Sequence, residues 1–189
     1  MTTAPHAPTA PDTARAASAC ATANAFDILL HCHEHILSKL QVLEQTARDL
    51  DATGSFEQRH LAGLGDVVTM LDTAIPMHSA DEEQSLFPRL RALPEFEGAA
   101  GHTPMDCMQD EHVQHQKLMA ALKRAVMQRD VGRTVMTARH IVAEYRGHIE
   151  KENEVLFPFA REKLTDPRLI EELTEEMRGR RREAGLLAC

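Results

Sequence analysis

The segment His78-Ser-Ala-Asp-Glu82-Glu-Gln-Ser-Leu-Phe-Pro88 decides the fold, because its pattern returns at His148-Ile-Glu-Lys-Glu152-Asn-Glu-Val-Leu-Phe-Pro158. Both segments contain a histidine, a glutamate four residues later, and Leu-Phe-Pro after the same gap. A repeat of this kind indicates an internally duplicated structure. Residues four apart lie on one face of an α-helix, so each histidine is predicted to share a helix face with its glutamate.

Helical periodicity of apolar residues continues through almost all of the chain after residue 23, and no alternating strand pattern interrupts it. Five helices are predicted, at about residues 24–50, 55–93, 103–129, 133–164 and 166–183. Long helices joined by short connections favour an all-α, up-down four-helix bundle, with the additional C-terminal helix packed outside it.

The chain is therefore predicted to have three parts, namely a disordered N-terminal tail (1–23), the bundle (24–164), and a C-terminal helix and tail (165–189). The tail is predicted from its content of Ala, Thr and Pro and its lack of apolar periodicity. In the second helix, Ser55-Phe-Glu-Gln58 is typical of a capping box at the start. Pro76 is expected to kink the same helix.

Composition excludes several classes of function. The chain has 21 Lys and Arg against 29 Asp and Glu, a net charge of −8. This balance argues against binding to nucleic acid or to an anionic membrane. No run approaches the roughly 18 apolar residues of a membrane span, and the N-terminus lacks the pattern of a signal peptide. A cytoplasmic protein is expected.

The first and third helices repeat more faintly. His33 is followed by Ile36, Leu40 and Leu43, and His112 is followed by residues at the same offsets, His115, Met119 and Leu122. The chain thus resembles two helical hairpins, each of which offers one histidine and one His-x-x-x-Glu pair.

Together the four helices offer six candidate metal ligands: His33, His78, Glu82, His112, His148 and Glu152. Four neutral imidazoles suit iron, zinc, copper or nickel, and two carboxylates can each bridge two ions. Two octahedral ions would keep positions for a water-derived bridge and a small ligand. Open positions favour small-molecule chemistry over a closed structural site.

Several other residues are candidates for lesser roles. His35 is the alternative ligand on the first helix, and His115 is expected to ligate or to line the pocket. Tyr145 and Glu83 are candidate hydrogen-bond partners of the ligands, and Glu83 is also an alternative ligand. The remaining histidines are interpreted as tail or surface residues: His6, His60, His102 and His140.

The repeated His-x-x-x-Glu-x-x-x-Leu-Phe-Pro element, with His33 and His112 in place, resembles the hemerythrin-like, or HHE cation-binding, family over about residues 26–164. The resemblance implies a non-haem di-iron centre, bridged by an oxo or hydroxo group, that meets dioxygen, nitric oxide or peroxide.

Two departures distinguish the chain from oxygen-carrying hemerythrins. Position 116 is Gln116 where they have a second histidine, and Glu152 lies four residues after His148 where they have an aspartate five residues on. The ligand set looks more like that of di-iron cluster-repair proteins and iron-sensing hemerythrin domains. The expected function is binding or sensing of dioxygen or nitric oxide. The alternatives are a di-iron enzyme of oxidative or nitrosative stress defence or iron–sulfur cluster repair, and an iron-responsive regulatory module.

Overall fold

A computed structural model describes residues 23–99, 101 and 103–185, and these form helices with no strand. The predicted tail lies outside the described residues, apart from Ala23. The α-helices are α1 (Ala25–Thr53), α2 (Gln58–Asp81), α3 (Phe87–Arg91), α4 (Pro104–Met127), α5 (Val131–Lys151), α6 (Phe157–Lys163) and α7 (Pro167–Glu183). A 3₁₀ turn, Pro94–Phe96, lies in the connection before α4. The all-α prediction is confirmed.

Two π-helical segments, which the periodicity did not predict, lie within the second and fourth long helices. Glu82–Leu86 joins α2 to α3, and Glu152–Leu156 joins α5 to α6. Each widened turn ends just before the repeated Phe-Pro, and the phenylalanine N–H bonds to the carbonyl of the glutamate five residues earlier. Proline has no N–H and its ring crowds the carbonyl four residues back, so an α-helical hydrogen bond is lost at that point. The π segments accommodate this break.

Local signals explain most of the helix boundaries. Asn24 caps α1 by accepting hydrogen bonds from the N–H groups of Phe26 and Asp27, and Gly54 ends it with a φ of 66°. At α4, the Thr103 side chain accepts a hydrogen bond from the N–H of Asp106.

The start of α2 differs from the prediction. The N-cap is Glu57, and the Glu57 N–H donates to His60 Nδ1 at 3.1 Å. The capping box placed at Ser55 was therefore wrong. So was the surface placement of His60, which is buried because its ring folds back over the start of the helix. Pro76 lies inside α2, which continues through it, and the kink stays a prediction.

The helices pack as a four-helix bundle with α7 outside, as expected. Helix α1 packs against α2 and α5, and α4 packs against α5. Helix α7 lies across α1, α2 and the first π segment. Within the described part of the chain, no helix has the length and apolar character to cross a membrane.

The hydrophobic core consists of two separate clusters, one toward each end of the bundle. On α1, the core residues up to Leu29 belong to one cluster and those from Ile36 onward belong to the other. On the second long helix, the corresponding boundary lies between Ile75 and Leu86. The predicted ligands His33, His78 and Glu82 lie in these gaps. The bundle thus has a polar belt with an apolar cluster on each side of it.

An ion cluster attaches α7 to the bundle beside this belt. Asp81 is fully buried, and its carboxylate contacts the guanidinium groups of Arg180, at 2.9 Å, and Arg181. Arg180 also donates to the Ser85 hydroxyl within the first π segment. Helix α7 therefore contacts the chain on both sides of Glu82, at Asp81 and at Ser85.

Removing the charge of Asp81 is expected to destabilise the fold strongly. Asp81→Asn leaves the buried Arg181 and the partly buried Arg180 without their anionic partner, and the loss of one partner of a buried ion pair costs about 3–5 kcal/mol. The matched control is Asp72→Asn, because Asp72 pairs with Lys123 at 2.6 Å on the surface, where a pair contributes about 0–1 kcal/mol. Urea unfolding of both variants measures the difference, and equal losses would contradict the structural role of the cluster.

Candidate metal centre

The six side chains predicted as ligands meet in the polar belt. Each long helix of the bundle contributes one histidine, and the second and fourth also contribute the glutamate at which their π segments begin. All six are between 0% and 4% exposed: His33, His78, Glu82, His112, His148 and Glu152.

One half of the cluster lies between the first and second long helices. His33 Nε2 is 3.0 Å from His78 Nε2 and 3.0 Å from Glu152 Oε2. His78 Nε2 is 3.5 Å from Glu82 Oε2 and 3.8 Å from Glu152 Oε2. The four residues offer ligand atoms that all lie within 4.8 Å of one another, which is close enough for a single ion to contact all four.

The other half lies between the third and fourth long helices. His112 Nε2 is 3.1 Å from His148 Nε2 and 3.3 Å from Glu82 Oε2. His148 Nε2 is 3.0 Å from Glu152 Oε1. Both glutamates therefore belong to both halves, which is the arrangement that two bridging carboxylates require.

The carboxylates fit a cation because hydrogen bonds do not satisfy them. All four carboxylate oxygens of Glu82 and Glu152 are buried without a hydrogen-bond partner among the described residues. Ring nitrogens of the candidate ligands His33 and His148 lie 3.0 Å from the Glu152 carboxylate. Buried oxygens and imidazole nitrogens in this combination indicate a metal-binding site.

The two carboxyl groups titrate in opposite directions. Burial, together with the neighbouring charge of Glu152, raises the pKa of Glu82 well above its usual value. Burial also acts to raise the pKa of Glu152, but the imidazoles of His148, His33 and His78 outweigh it and hold that pKa well below the usual value. Of the two carboxyl groups, Glu82 therefore favours its protonated form more strongly than Glu152 does.

The histidines also differ from one another. Burial lowers the pKa of His78 to about 4 and also lowers the pKa of His112. Burial acts in the same sense on His148, but Glu152 and Glu111 outweigh it, so the pKa of His148 is raised. Of these three histidines, His148 is therefore the one that keeps a proton most readily.

Three of the four candidate ligand histidines have an oxygen partner on the outer ring nitrogen. His33 Nδ1 lies 2.8 Å from Asn153 Oδ1, and His112 Nδ1 lies 2.6 Å from Glu83 Oε1. The third pair is His148 Nδ1 and Glu111 Oε2, at 2.8 Å. An Nδ1–H donated to such an oxygen leaves the Nε2 lone pair free for a metal and fixes the ring orientation.

Sequence reasoning missed Asn153 and Glu111 in this role. The signal for Asn153 was in the repeat, because Glu83 and Asn153 both directly follow a ligand glutamate, and each reaches a histidine of the other hairpin. Glu111 directly precedes His112 and reaches across to His148. That contact depends on the rotation of two neighbouring helices, which periodicity alone does not give.

The residues predicted as alternative ligands or as hydrogen-bond partners differ in burial and in distance from the cluster. His35 is exposed and belongs to neither half of the cluster. His115 is buried, stacks on Tyr145 with 3.9 Å between ring centroids, and meets the His148 ring edge-on at 4.8 Å. Neither ring nitrogen of His115 nor the Tyr145 hydroxyl has a partner among the described residues. Burial lowers the pKa of His115 to about 3, so its imidazole is neutral.

The fold and the site together define a helical bundle with a buried His/Glu cation site. A sequence model of the Hemerythrin HHE cation binding domain matches residues 24–184. The chain therefore belongs to the hemerythrin HHE cation-binding family. No curated protein and no solved structure gave a match.

Metal uptake is expected to release protons. A metal requires the Glu82 carboxylate and a neutral His148, and the pKa of each is raised in the metal-free chain. Metal affinity should therefore rise as the pH rises through these two values and become constant above them. Titration of the metal-free chain with Zn²⁺ in weak buffer, followed by a pH indicator, measures the protons released. Uptake without proton release would contradict the assigned protonation states.

Removing an outer partner is expected to weaken metal binding. Asn153→Ala leaves the His33 ring without its acceptor, and such losses lower metal affinity by about 10–100-fold. The neighbouring exposed residue supplies the control, because Glu154→Ala leaves these contacts intact. Competition with a chromophoric chelator measures both affinities, and equal values for the two variants would refute the role of Asn153.

Proposed function

We propose that this chain holds two iron ions on the six buried residues and binds or senses dioxygen or nitric oxide there. One observation carries the proposal, namely that Glu82 and Glu152 each lie within reach of both histidine pairs. Two ions side by side, joined by two carboxylates, need this arrangement. Bound iron would supply the redox chemistry, and the chain itself positions the ligands and keeps bulk water out.

The surroundings of the cluster support a small ligand. The Phe157 ring stacks over His33 at 5.3 Å, and the Phe87 ring lies parallel to His112 at 6.3 Å. Both phenylalanines are buried. The two phenylalanines of the repeat therefore cover the candidate metal centre on the side that faces one end of the bundle. A substrate larger than a few atoms would have to displace these core residues.

His115 and Tyr145 offer polar contacts beside the second histidine pair. The His115 ring meets the His148 ring and stacks on Tyr145, and neither the His115 ring nitrogens nor the Tyr145 hydroxyl has a partner among the described residues. Buried polar groups normally have hydrogen-bond partners, so such atoms need a specific explanation. A small ligand that accepts a hydrogen bond from the Tyr145 hydroxyl would provide one.

The proposal predicts about two irons per chain, as in other two-metal sites, and a spectral change when the reduced protein meets gas. Iron analysis and visible spectra of anaerobically reduced protein, before and after exposure to dioxygen and to nitric oxide, test it. A new band that reverses on degassing supports binding or sensing, whereas rapid irreversible oxidation favours the enzyme alternative. Low iron content, or no change with either gas, would refute the proposal.

A Tyr145→Phe variant separates ligand binding from iron binding. It removes one hydroxyl and keeps the ring that stacks on His115. Iron content should stay unchanged, and affinity for the gas should fall about fivefold, since a hydrogen bond contributes about 1 kcal/mol. Equal gas affinity in the variant and the parent chain would show that the hydroxyl does not contact the ligand.

A second candidate function is an iron-responsive module, and the ion cluster of α7 favours it. Asp81, which pairs with Arg180 and Arg181, directly precedes Glu82. Any change at Glu82 that follows loss of the metal would therefore alter the adjacent ion pairs that hold α7 on the bundle. The expected result is a lower melting temperature after chelation, and an unchanged value would rule this candidate out.

A further inference from the structure

One buried arginine, Arg181, connects α7 to both of the helices that form the first half of the candidate centre. Its side chain is only 4% exposed, although it lies in the last turn of a helix outside the bundle. Its guanidinium contacts the Asp81 carboxylate at the end of α2 and donates to the Met177 carbonyl at 3.1 Å. Burial raises the pKa of the Cys32 thiol on α1 to about 11, while the adjacent Arg181 acts in the opposite direction through its charge and a hydrogen bond.

The two residues that Arg181 contacts on α1 and α2 each directly precede a candidate ligand. Cys32 precedes His33, and Asp81 precedes Glu82. Consecutive residues of an α-helix are about 100° apart around the helix axis. A contact at Cys32 or Asp81 therefore restrains the rotation of its helix from one side while the ligand faces the centre. Because Arg181 contacts both, it restrains α1 and α2 relative to each other at the level of the ligands.

The second half of the centre has an equivalent connection that does not involve α7. Glu111 and Lys151 directly precede His112 and Glu152, and these two residues form an ion pair with each other. The same positions of the first half hold a thiol and a carboxylate, which do not form such a pair. There the positive charge comes from Arg181. Each half thus has a polar connection beside its ligands, and that of the first half depends on α7.

We infer that Arg181 is a positioning residue for the ion held by His33 and His78, an inference that rests on the two-ion centre proposed for this chain. Arg181 acts through the residues that precede two ligands rather than by ligation. Ligands must be held closely in their productive geometry by supporting contacts, and loss of such support lowers metal affinity about 10–100-fold. Loss of Arg181 therefore weakens this ion more than the ion held by His112 and His148.

Arg181→Gln tests this role, with Co²⁺ as the probe metal and the full chain as the sample. The variant lacks the guanidinium charge, but Asp81 keeps Arg180 as a partner at 2.9 Å, so we expect it to fold. Competition with a chromophoric chelator should show one ion bound at least about tenfold more weakly than in the parent chain, and the other unchanged. The visible Co²⁺ band that weakens should be the band that His33→Ala loses, and the band that His148→Ala loses should remain.

Thr174→Val is the matched control, because it removes a different polar contact between α7 and α1. Thr174 is buried, and its hydroxyl accepts a hydrogen bond from the Ala25 N–H at 2.9 Å, two helical turns from His33. The variant leaves that buried donor without a partner and should lower the melting temperature. Both Co²⁺ affinities should nevertheless equal those of the parent chain, which separates a loss of positioning from a loss of stability.

Arg181→Lys extends the test to a milder change. It keeps the charge but lacks the planar fork that can contact two partners, so the same ion should weaken by a smaller factor than in Arg181→Gln. This variant also decides the matter if Arg181→Gln does not fold, since parental affinity for both ions in Arg181→Lys would then overturn the role.

Three further results would overturn the positioning role of Arg181. The first is parental affinity for both ions in Arg181→Gln, and the second is equal weakening of both ions. The third is an equal loss of the same ion in Thr174→Val. A parent chain that binds fewer than two ions would instead refute the two-ion centre itself, and the role of Arg181 with it.

Discussion

Two carboxylates, Glu82 and Glu152, lie fully buried side by side in the middle of an apolar bundle, and the rest of the site follows from that constraint. Burial of one ionised carboxylate costs several kcal/mol unless positive charge or hydrogen bonds compensate. Here no hydrogen bond does so, and four imidazoles surround the pair. The conflict shows in the opposite pKa directions of the two carboxyl groups, since burial and the charge of Glu152 raise the pKa of Glu82, whereas the neighbouring imidazoles lower that of Glu152. A cation between them removes the conflict for both.

The bundle is built so that this polar belt does not interrupt its packing. Apolar clusters lie on both sides of the belt, and in both repeats the π segment begins at the carboxylate and ends at the buried Phe. A widened turn shifts the helix phase by part of a turn, so a glutamate and a phenylalanine five residues apart can both face the core. The first repeat is held further by α7 through Asp81, whereas the corresponding residue of the second repeat, Lys151, is exposed and pairs with Glu111 at the surface. The duplication is therefore symmetric at the ligands and asymmetric around them.

Much of this could be predicted from the sequence, because it depends on spacing along single helices. The apolar period predicted five helices, and the duplicated His-x-x-x-Glu placed His78 with Glu82 and His148 with Glu152 on common faces. The π segments were missed, because a proline inside a helical pattern can lead to a kink, a break or a wider turn, and packing decides among them. His60 was misplaced because its burial comes from a local contact with the Glu57 N–H. Glu111 was missed because its contact with His148 depends on how two helices are rotated against each other.

The asymmetry extends to the outer partners of the histidines, and it makes the two halves of the centre chemically different. His112 and His148 each face a carboxylate, from Glu83 and Glu111, whereas His33 faces the neutral amide of Asn153. His78 Nδ1 has no partner among the described residues. The repeat explains why, since Cys32 precedes His33 at the position where Glu111 precedes His112. A carboxylate partner makes an imidazole more basic and a stronger ligand; the pKa of His148 is raised accordingly, whereas at His112 burial outweighs the contact with Glu83 and the pKa is lowered. The half formed by His112 and His148 is therefore built on two imidazoles with carboxylate partners and the half formed by His33 and His78 on none, so the two halves would offer a cation donors of different strength.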